Sequence, residues 1–317
     1  MKCKICDNDK DNKEFEVKEM MFGTREVFRY FQCSRCGCLQ IEDVPHNLSD
    51  YYPKDYYSYN ASVSNKSQIN KLLSRLRDNY AIRGEGLAGR FLYAIFPNPF
   101  LSSMRPVEIT KDTRILDVGC GSGSLLYSLK ELGFSRLLGI DPYNDKAIQY
   151  KNGLEIQKKE VHEVEGKWDV VMLHHTFEHI DNPLETLQLI ANLLTPNGRC
   201  IIRIPIVPSY VWEHYGVNWV QLDAPRHLFL HSVKSMNILT GQCGLKMQNV
   251  VYDSTAFQFW GSEQYVKDIP LRDKRSYSVN ADSSIFTQKE IANFKKRSKE
   301  LNLANQGDQA IFYLCKS

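Results

Sequence analysis

Between residues 114 and 124 the chain reads Arg114-Ile-Leu-Asp-Val-Gly-Cys-Gly-Ser-Gly-Ser124, and this stretch narrows the possible folds more than any other. Residues 114–117 predict a short buried strand, Gly119, Gly121 and Gly123 a tight turn, and residues 125–129 the start of an amphipathic helix. Glycines let the backbone turn sharply and leave room for a ligand to lie against it. The helix N-terminus offers unpaired N–H groups and a partial positive charge, which suit a carboxylate or phosphate. The next apolar strand, residues 136–140, ends on Asp141. In a doubly wound α/β sheet an acid at that place can hydrogen-bond a ribose diol. The dinucleotide fingerprint G-x-G-x-x-G is not met, because the third glycine comes one residue early and position 124 is Ser.

Asp117 stands two residues before the first glycine, so the turn reads D-x-G-x-G-x-G and is followed by an acid-terminated strand. That combination resembles the class I S-adenosylmethionine-dependent methyltransferases. The resemblance implies that Asp117, Gly119, Gly121 and Gly123 carry the methionine part of the cofactor, and that Asp141, followed by Pro142, holds the ribose. The plainer alternative is a glycine-rich turn that binds nothing.

The N-terminus carries a second pattern. Cys3-x-x-Cys6 and Cys33-x-x-Cys36 are matched pairs, and Gly37 follows the second. Four thiolates at this spacing suit a closed, tetrahedral, structural Zn²⁺ site, as in a zinc ribbon. Metal binding would then supply much of the folding energy of so small a module. A redox dithiol is the weaker reading, and Cys38 is a bystander. Net charge is +3, too mild to argue for nucleic acid by itself. Residues 1–6 contain no apolar signal core, and no apolar run approaches the ~20 residues of a membrane span. A cytoplasmic protein is expected, in which the nine cysteines are thiols or metal ligands.

Tyr51, Tyr52, Tyr56, Tyr57 and Tyr59 follow. They read either as a linker packing its rings between domains or as a substrate wall that stacks on sugars or bases. Residues 66–90 hold six basic and two acidic side chains, with Leu72, Leu73, Leu76 and Tyr80 at helical spacing. This predicts a helix with a basic outer face, either simply solvated or facing a phosphorylated or nucleotide-linked substrate. Residues 89–96 predict a helix docked on the neighbouring domain, with a weak peripheral membrane contact as the alternative.

From about residue 109 a sheet domain is expected, with a helix near 144–152, a third strand at 153–156 and a fourth at 168–174. Ligands of open α/β sheets gather at the carboxyl ends of strands, and there the chain reads His174-His-Thr-Phe-Glu-His179. The resemblance maps a Glu-His pair onto Glu178 and His179 and places His174 against the cofactor. A helix over 184–194 and a strand over 199–204 flank the Leu194-x-Pro-x-Gly198 landmark of the same family. His227, Phe229 and Ser232 resemble the substrate-site stretch of zinc-bearing deoxysugar methyltransferases, although Arg226 stands where some of those have an acid. Arg226 and His227 could instead cap the next helix. Residues 245–252 and 310–314 predict the last two strands, antiparallel, with a helix at 287–303 between them.

The fold expected is therefore α/β: a Rossmann-like, seven-stranded methyltransferase sheet over 109–317 with insertions near 205–228 and 261–307. A zinc module over 1–45 and a tyrosine-rich linker with a helical cap over 46–108 precede it. The activity implied is O-methylation of a sugar, glycan or other small-molecule hydroxyl, associated with polysaccharide synthesis, with His179 or His227 as general base. Two alternatives remain open: a nucleic-acid or protein methyltransferase that reads its substrate through the zinc module, and a non-catalytic cofactor-binding subunit.

Overall fold

The computed structural model describes residues 1–52 and 67–317. Tyr56, Tyr57 and Tyr59 lie outside the described residues. The chain opens with β1 (Lys13–Lys18), β2 (Val27–Gln32) and β3 (Leu39–Ile41). After the helices α1 (Gln68–Arg83), α2 (Leu87–Ile95) and α3 (Pro99–Ser102) it runs through β4 (Ile115–Val118), α4 (Ser124–Glu131), β5 (Leu137–Ile140), β6 (Ile148–Gln149) and β7 (Glu155–Gln157). Next come β8 (Trp168–His174), α5 (Pro183–Leu193), β9 (Leu194–Pro205), α6 (Tyr210–Tyr215) and β10 (Phe229–Leu230). The chain closes with α7 (Val233–Gln242), β11 (Leu245–Tyr252), α8 (Phe257–Val266), α9 (Gln288–Leu303) and β12 (Gln309–Lys316).

The large sheet has the order β11-β12-β9-β8-β4-β5-β7-β6. β5, β4, β8 and β9 run parallel, as does β7 beside β5, whereas β12 is antiparallel to both β9 and β11. From β4 the chain moves outward to β5 and then returns to β8 on the other side of β4. The strand order thus reverses at β4, and a crevice opens at the carboxyl ends of β4 and β8. Burial on both faces requires apolar side chains at successive positions. In β8, Val170 and Met172 join one core while Val171 and Leu173 join the other.

Several sequence expectations change. The sheet has eight strands rather than seven, because residues 148–149 pair antiparallel with β7 where a helix near 144–152 was expected. Local bonds explain this. Tyr150 N–H donates to the Leu154 carbonyl and Gly153 N–H to the Tyr150 carbonyl, which closes a hairpin rather than a helical turn. The leucine stripe of α1 is exposed, and its buried residues are Asp78, Ala81 and Ile82. In α2 only Gly89 is fully buried; Tyr93 packs against the core that holds Ile115 and Leu126, while Leu87, Phe91 and Ile95 stay exposed. The helix expected at 287–303 forms as α9, with a capping box between Thr287 and Glu290 at its start.

β10 does not belong to the large sheet. It pairs antiparallel with β3, so residues 229–230 complete a four-stranded sheet, β1-β2-β3-β10, begun by the N-terminal module. The Ile41 N–H donates to the Leu228 carbonyl, the Tyr30 hydroxyl to the His227 carbonyl, and the Ser232 hydroxyl to the Cys36 carbonyl. Cys3, Tyr30, Phe31 and Leu39 share one buried core with Leu173, Ile202 and Phe312 of the large sheet. The module is therefore packed into the domain as part of one hydrophobic interior.

Candidate active site at the carboxyl ends of β4, β5 and β8

The glycine turn joins β4 to α4. Gly119 and Gly123 have φ of +71° and +74°, and a Cβ on either would come within 2.3 Å of Thr176 Cγ2 or Ile156 Cδ1. Any side chain there would meet both backbone strain and a clash. Asp141 holds the turn from the end of β5. One carboxylate oxygen accepts the Gly121 N–H at 2.8 Å and the other the Tyr143 N–H at 2.9 Å. The Asn144 amide donates to the Gly121 carbonyl at 2.8 Å. No side chain caps the N-terminus of α4, so its first N–H groups remain available to a carboxylate.

Asp117 lies buried beneath the turn. Burial first, and then the neighbouring Asp141, push its carboxyl up to about 8. Burial also raises Asp141, although the N–H bonds to its oxygens oppose this. Among the described residues neither carboxylate has an ion-pair partner. Two under-compensated acids beside an uncapped helix start suit a ligand that carries both a cationic centre and a carboxylate. S-adenosylmethionine has both, and Asp117, Gly119, Gly121, Gly123 and Asp141 fit it. Pro142 lies between Asp141 and Tyr143.

The second half of the site follows β8. His175 adopts φ +53°, in the left-handed region that non-glycine residues seldom occupy. Its Nε2 accepts from Arg203 at 2.6 Å, so its Nδ1 carries the proton and faces Glu178 Oε1 at 3.5 Å. Asp253 holds the other side of the Arg203 guanidinium at 2.6 Å. Glu178 is fully buried, with no hydrogen bond to either oxygen. Burial pushes it up, but His175, His179 and His227 outweigh this and hold its carboxylate down to about 2.

His179 and His227 come together with ring centroids 4.8 Å apart. The His179 Nδ1–H donates to the Arg226 carbonyl and the His227 Nδ1–H to the Gln221 carbonyl, each at 2.8 Å. A carbonyl only accepts, so both rings keep an Nε2 lone pair. Burial first, then His227, pushes His179 down to about 4, so it is neutral near pH 7. His227 Nε2 lies 3.8 Å from Asp223 and 4.0 Å from Glu178. Ligand atoms of Glu178, His179 and His227 all lie within 4.8 Å of one another, a spacing compatible with a metal ion. His174 is half-buried, with both ring nitrogens buried and unbonded and its ring against Phe100. Tyr52 stacks on Tyr143 and sets its edge to His179, spanning the glycine-turn side and the histidine side. Tyr51 instead packs its ring on Phe28.

Some members were not visible in the sequence. Arg226, which stands where an acid was sought, is fully buried between Asp223 at 2.6 Å and Glu19 at 3.0 Å. Ser232, not Arg226 or His227, caps α7. The acid near His227 is Asp223, four residues earlier in a turn where Arg226 and His227 both donate N–H to its carbonyl. That acid-x-x-x-His spacing was the available signal. Glu19 had none, because its partner lies 207 residues away.

In the N-terminal module the sulfurs of Cys3, Cys6, Cys33 and Cys36 lie within 4.8 Å of one another. Cys3 and Cys36 are 3.6 Å apart, and Cys6 and Cys33 3.5 Å. A tetrahedron with Zn–S bonds near 2.3 Å has edges of about 3.8 Å, so the quartet could hold such an ion. The Ile5 and Cys36 N–H groups and the Gln40 amide point at the sulfurs, as thiolates require. Cys38 is buried outside the quartet. The open groove lined by Arg114, Ser135, Arg136, Lys167 and Trp168 lies at the amino ends of the strands, away from all of these groups.

A family model described as a methyltransferase domain matches residues 69–250, more than half of the chain. This chain belongs to that family. The matched region runs from α1 into β11 and contains the glycine turn and both histidines, while the cysteine module precedes it. The ubiquinone biosynthesis O-methyltransferase of Nitrosospira multiformis is 29% identical over 157 residues, 43% of this chain and 64% of that protein. The protein of the same name from Maricaulis maris is 31% identical over 155 residues, 44% of this chain and 59% of that one. The chain thus spans less than two thirds of the length of these methyltransferase relatives. Among solved structures, the cyclopropane synthase MmaA2 from Mycobacterium tuberculosis has a TM-score of 0.46 at 12% identity, covering 87% of this chain and 100% of that one.

Proposed function

We propose that this methyltransferase-family chain transfers a methyl group from S-adenosylmethionine to a hydroxyl of a small molecule, with His227 as the general base. The observation that carries the reading is the His227 ring. Its Nδ1–H is tied to the Gln221 carbonyl, and its Nε2 lone pair lies near the carboxylates of Asp223 and Glu178. Such an imidazole can take a proton, and the two carboxylates stabilise the imidazolium that results. His179, held neutral, serves better as a hydrogen-bonding wall beside Tyr52. When bound, the sulfonium supplies an electrophilic methyl. The protein would align the acceptor oxygen with it, and His227 Nε2 would take the hydroxyl proton as the oxygen–carbon bond forms and the sulfur–carbon bond breaks, with S-adenosylhomocysteine as the leaving thioether. O-methylation is also what the names of the relatives state for those proteins. Within small molecules we favour a sugar or nucleotide-linked sugar, on the order of cysteine module, tyrosine-rich segment and methyltransferase domain. The cysteine quartet holds structural zinc in this reading, and its closed set of four sulfurs takes no part in the chemistry.

The test is methyl transfer to a panel of nucleotide sugars and phenols with His227→Ala and His179→Ala. His227→Ala should lower kcat by about 10²–10⁴-fold with affinity for S-adenosylmethionine unchanged. Full turnover by that variant would rule His227 out as the base.

A further inference from the structure

The helices α1 and α2 carry apolar side chains that the fold does not use. On α2, Leu87 is 85% exposed, Phe91 68% and Ile95 52%, with Phe96 at 62% just beyond its end. Leu87, Phe91 and Ile95 are four residues apart, so they form one stripe along the helix. Ile69, Leu72, Leu73 and Leu76 make a second exposed stripe on α1. The two helices are held together at Gly89, where a Cβ would come within 2.5 Å of the Leu76 carbonyl and 2.7 Å of Tyr80. Close packing there fixes the pair as a rigid platform. Asp78, buried and bonded by Arg77 and by the Asn98 amide, pins the start of α3 to α1.

The exposed charges of these two helices are mostly basic, although Arg75 is paired with Glu131 at 3.3 Å. Lys71, Arg75, Arg83 and Arg90 are exposed, whereas the acids of residues 68–96 are the buried Asp78 and the exposed Glu85. A second copy meeting this face through a two-fold axis would bring like charges together. Exposed leucine and phenylalanine stripes on helices whose exposed charges are mostly lysine and arginine match the interface of an anionic bilayer instead. The platform also leads to the active site. α3 begins at Pro99, and the Phe100 ring sets its edge against His174 and His175 at centroid distances of 5.6 and 6.1 Å.

We infer that α1 and α2 form a docking surface for an anionic lipid membrane, which brings the mouth of the active site beside Phe100 to acceptors held in or on that surface. The inference goes beyond the proposed reaction and does not depend on which hydroxyl is methylated. It is tested with the full chain by co-sedimentation with phosphatidylcholine vesicles, with and without phosphatidylglycerol. Binding is expected to vesicles containing phosphatidylglycerol, and to fall as salt rises. The variant Leu87→Ser/Phe91→Ser/Ile95→Ser should bind at least tenfold more weakly. The variant Lys71→Gln/Arg83→Gln/Arg90→Gln should lose on the order of a hundredfold, at roughly fivefold per cation. Circular dichroism and S-adenosylmethionine affinity should be unchanged in both variants, since all these side chains are exposed. No binding to either vesicle, or equal binding to both, would overturn the inference. So would a solution dimer that the serine variant abolishes, because the occupant would then be a second copy.

Discussion

Replacing Arg226 with Met should destabilise this protein far more than an ordinary arginine substitution. The guanidinium is fully buried and makes a two-pronged bond to Asp223, at 2.6 and 3.0 Å, and another at 3.0 Å to Glu19. Removing it leaves two buried carboxylates without their cation, a change that costs about 3–5 kcal/mol. Glu19 keeps the N–H groups of Phe22, Gly23 and Thr24, which places the cost at the lower end. At about 1.5 °C lost per kcal/mol in a chain of this size, the melting temperature should fall by about 5 °C. The pH dependence carries the sharper signature. In the native protein burial pushes Asp223 up, but Arg226 outweighs it and the carboxyl is held down. Its stabilising effect is therefore present above the unfolded pKa and is lost as pH falls through the depressed folded value. Without Arg226, burial prevails and the folded value rises above the unfolded one. Protonation then relieves the variant, and its deficit narrows on acidification. Thermal melts of both proteins across the acid-to-neutral range read this directly. A melting temperature within about 2 °C of the native protein, or a deficit that widens toward low pH, would refute the reasoning.

Asp117→Asn should stabilise the protein at neutral pH. The folded state keeps this proton up to about 8, while the unfolded chain releases it near 4, so native stability declines as pH rises between those values and is flat outside them. At about 1.4 kcal/mol per unit the full window amounts to roughly 6 kcal/mol, and denaturant titrations of the variant should show that slope removed. Cys6→Ser should abolish stoichiometric zinc binding, measured by metal analysis. It should also expose residues 1–45 to protease, because on the proposed zinc assignment four sulfurs would close the site and the metal would supply much of the folding energy of the module. Retention of a full equivalent of zinc would contradict the assignment.

What could be read from the sequence was local. The glycine turn, the acid ending β5 and the Cys-x-x-Cys pairs each lie within a few residues, so their patterns are visible in the sequence, and the family resemblance supplies the cofactor roles expected of the first two. Glu19 and Arg226 could not be paired, because the contact depends on β10 leaving the large sheet to join β3. A two-residue strand has no periodicity to announce it. The α1 leucines recur at helical spacing, which shows that a helix forms but not which face the fold covers. There the buried positions went to Asp78, Ala81 and Ile82. The Glu-His pair was recognisable by resemblance, yet the burial of Glu178 among three imidazoles appears only when β8, the loop after it and residues 221–227 meet.

Calorimetric titration with S-adenosylmethionine tests most directly whether the glycine turn and Asp141 form a cofactor seat. The native chain should bind one equivalent, and His227→Ala should bind equally well. Asp141→Ala should bind about 10- to 150-fold more weakly, as expected when hydrogen bonds to a charged group are lost. An Asp141→Ala variant that binds like the native chain, or a native chain that does not bind at all, would contradict the account.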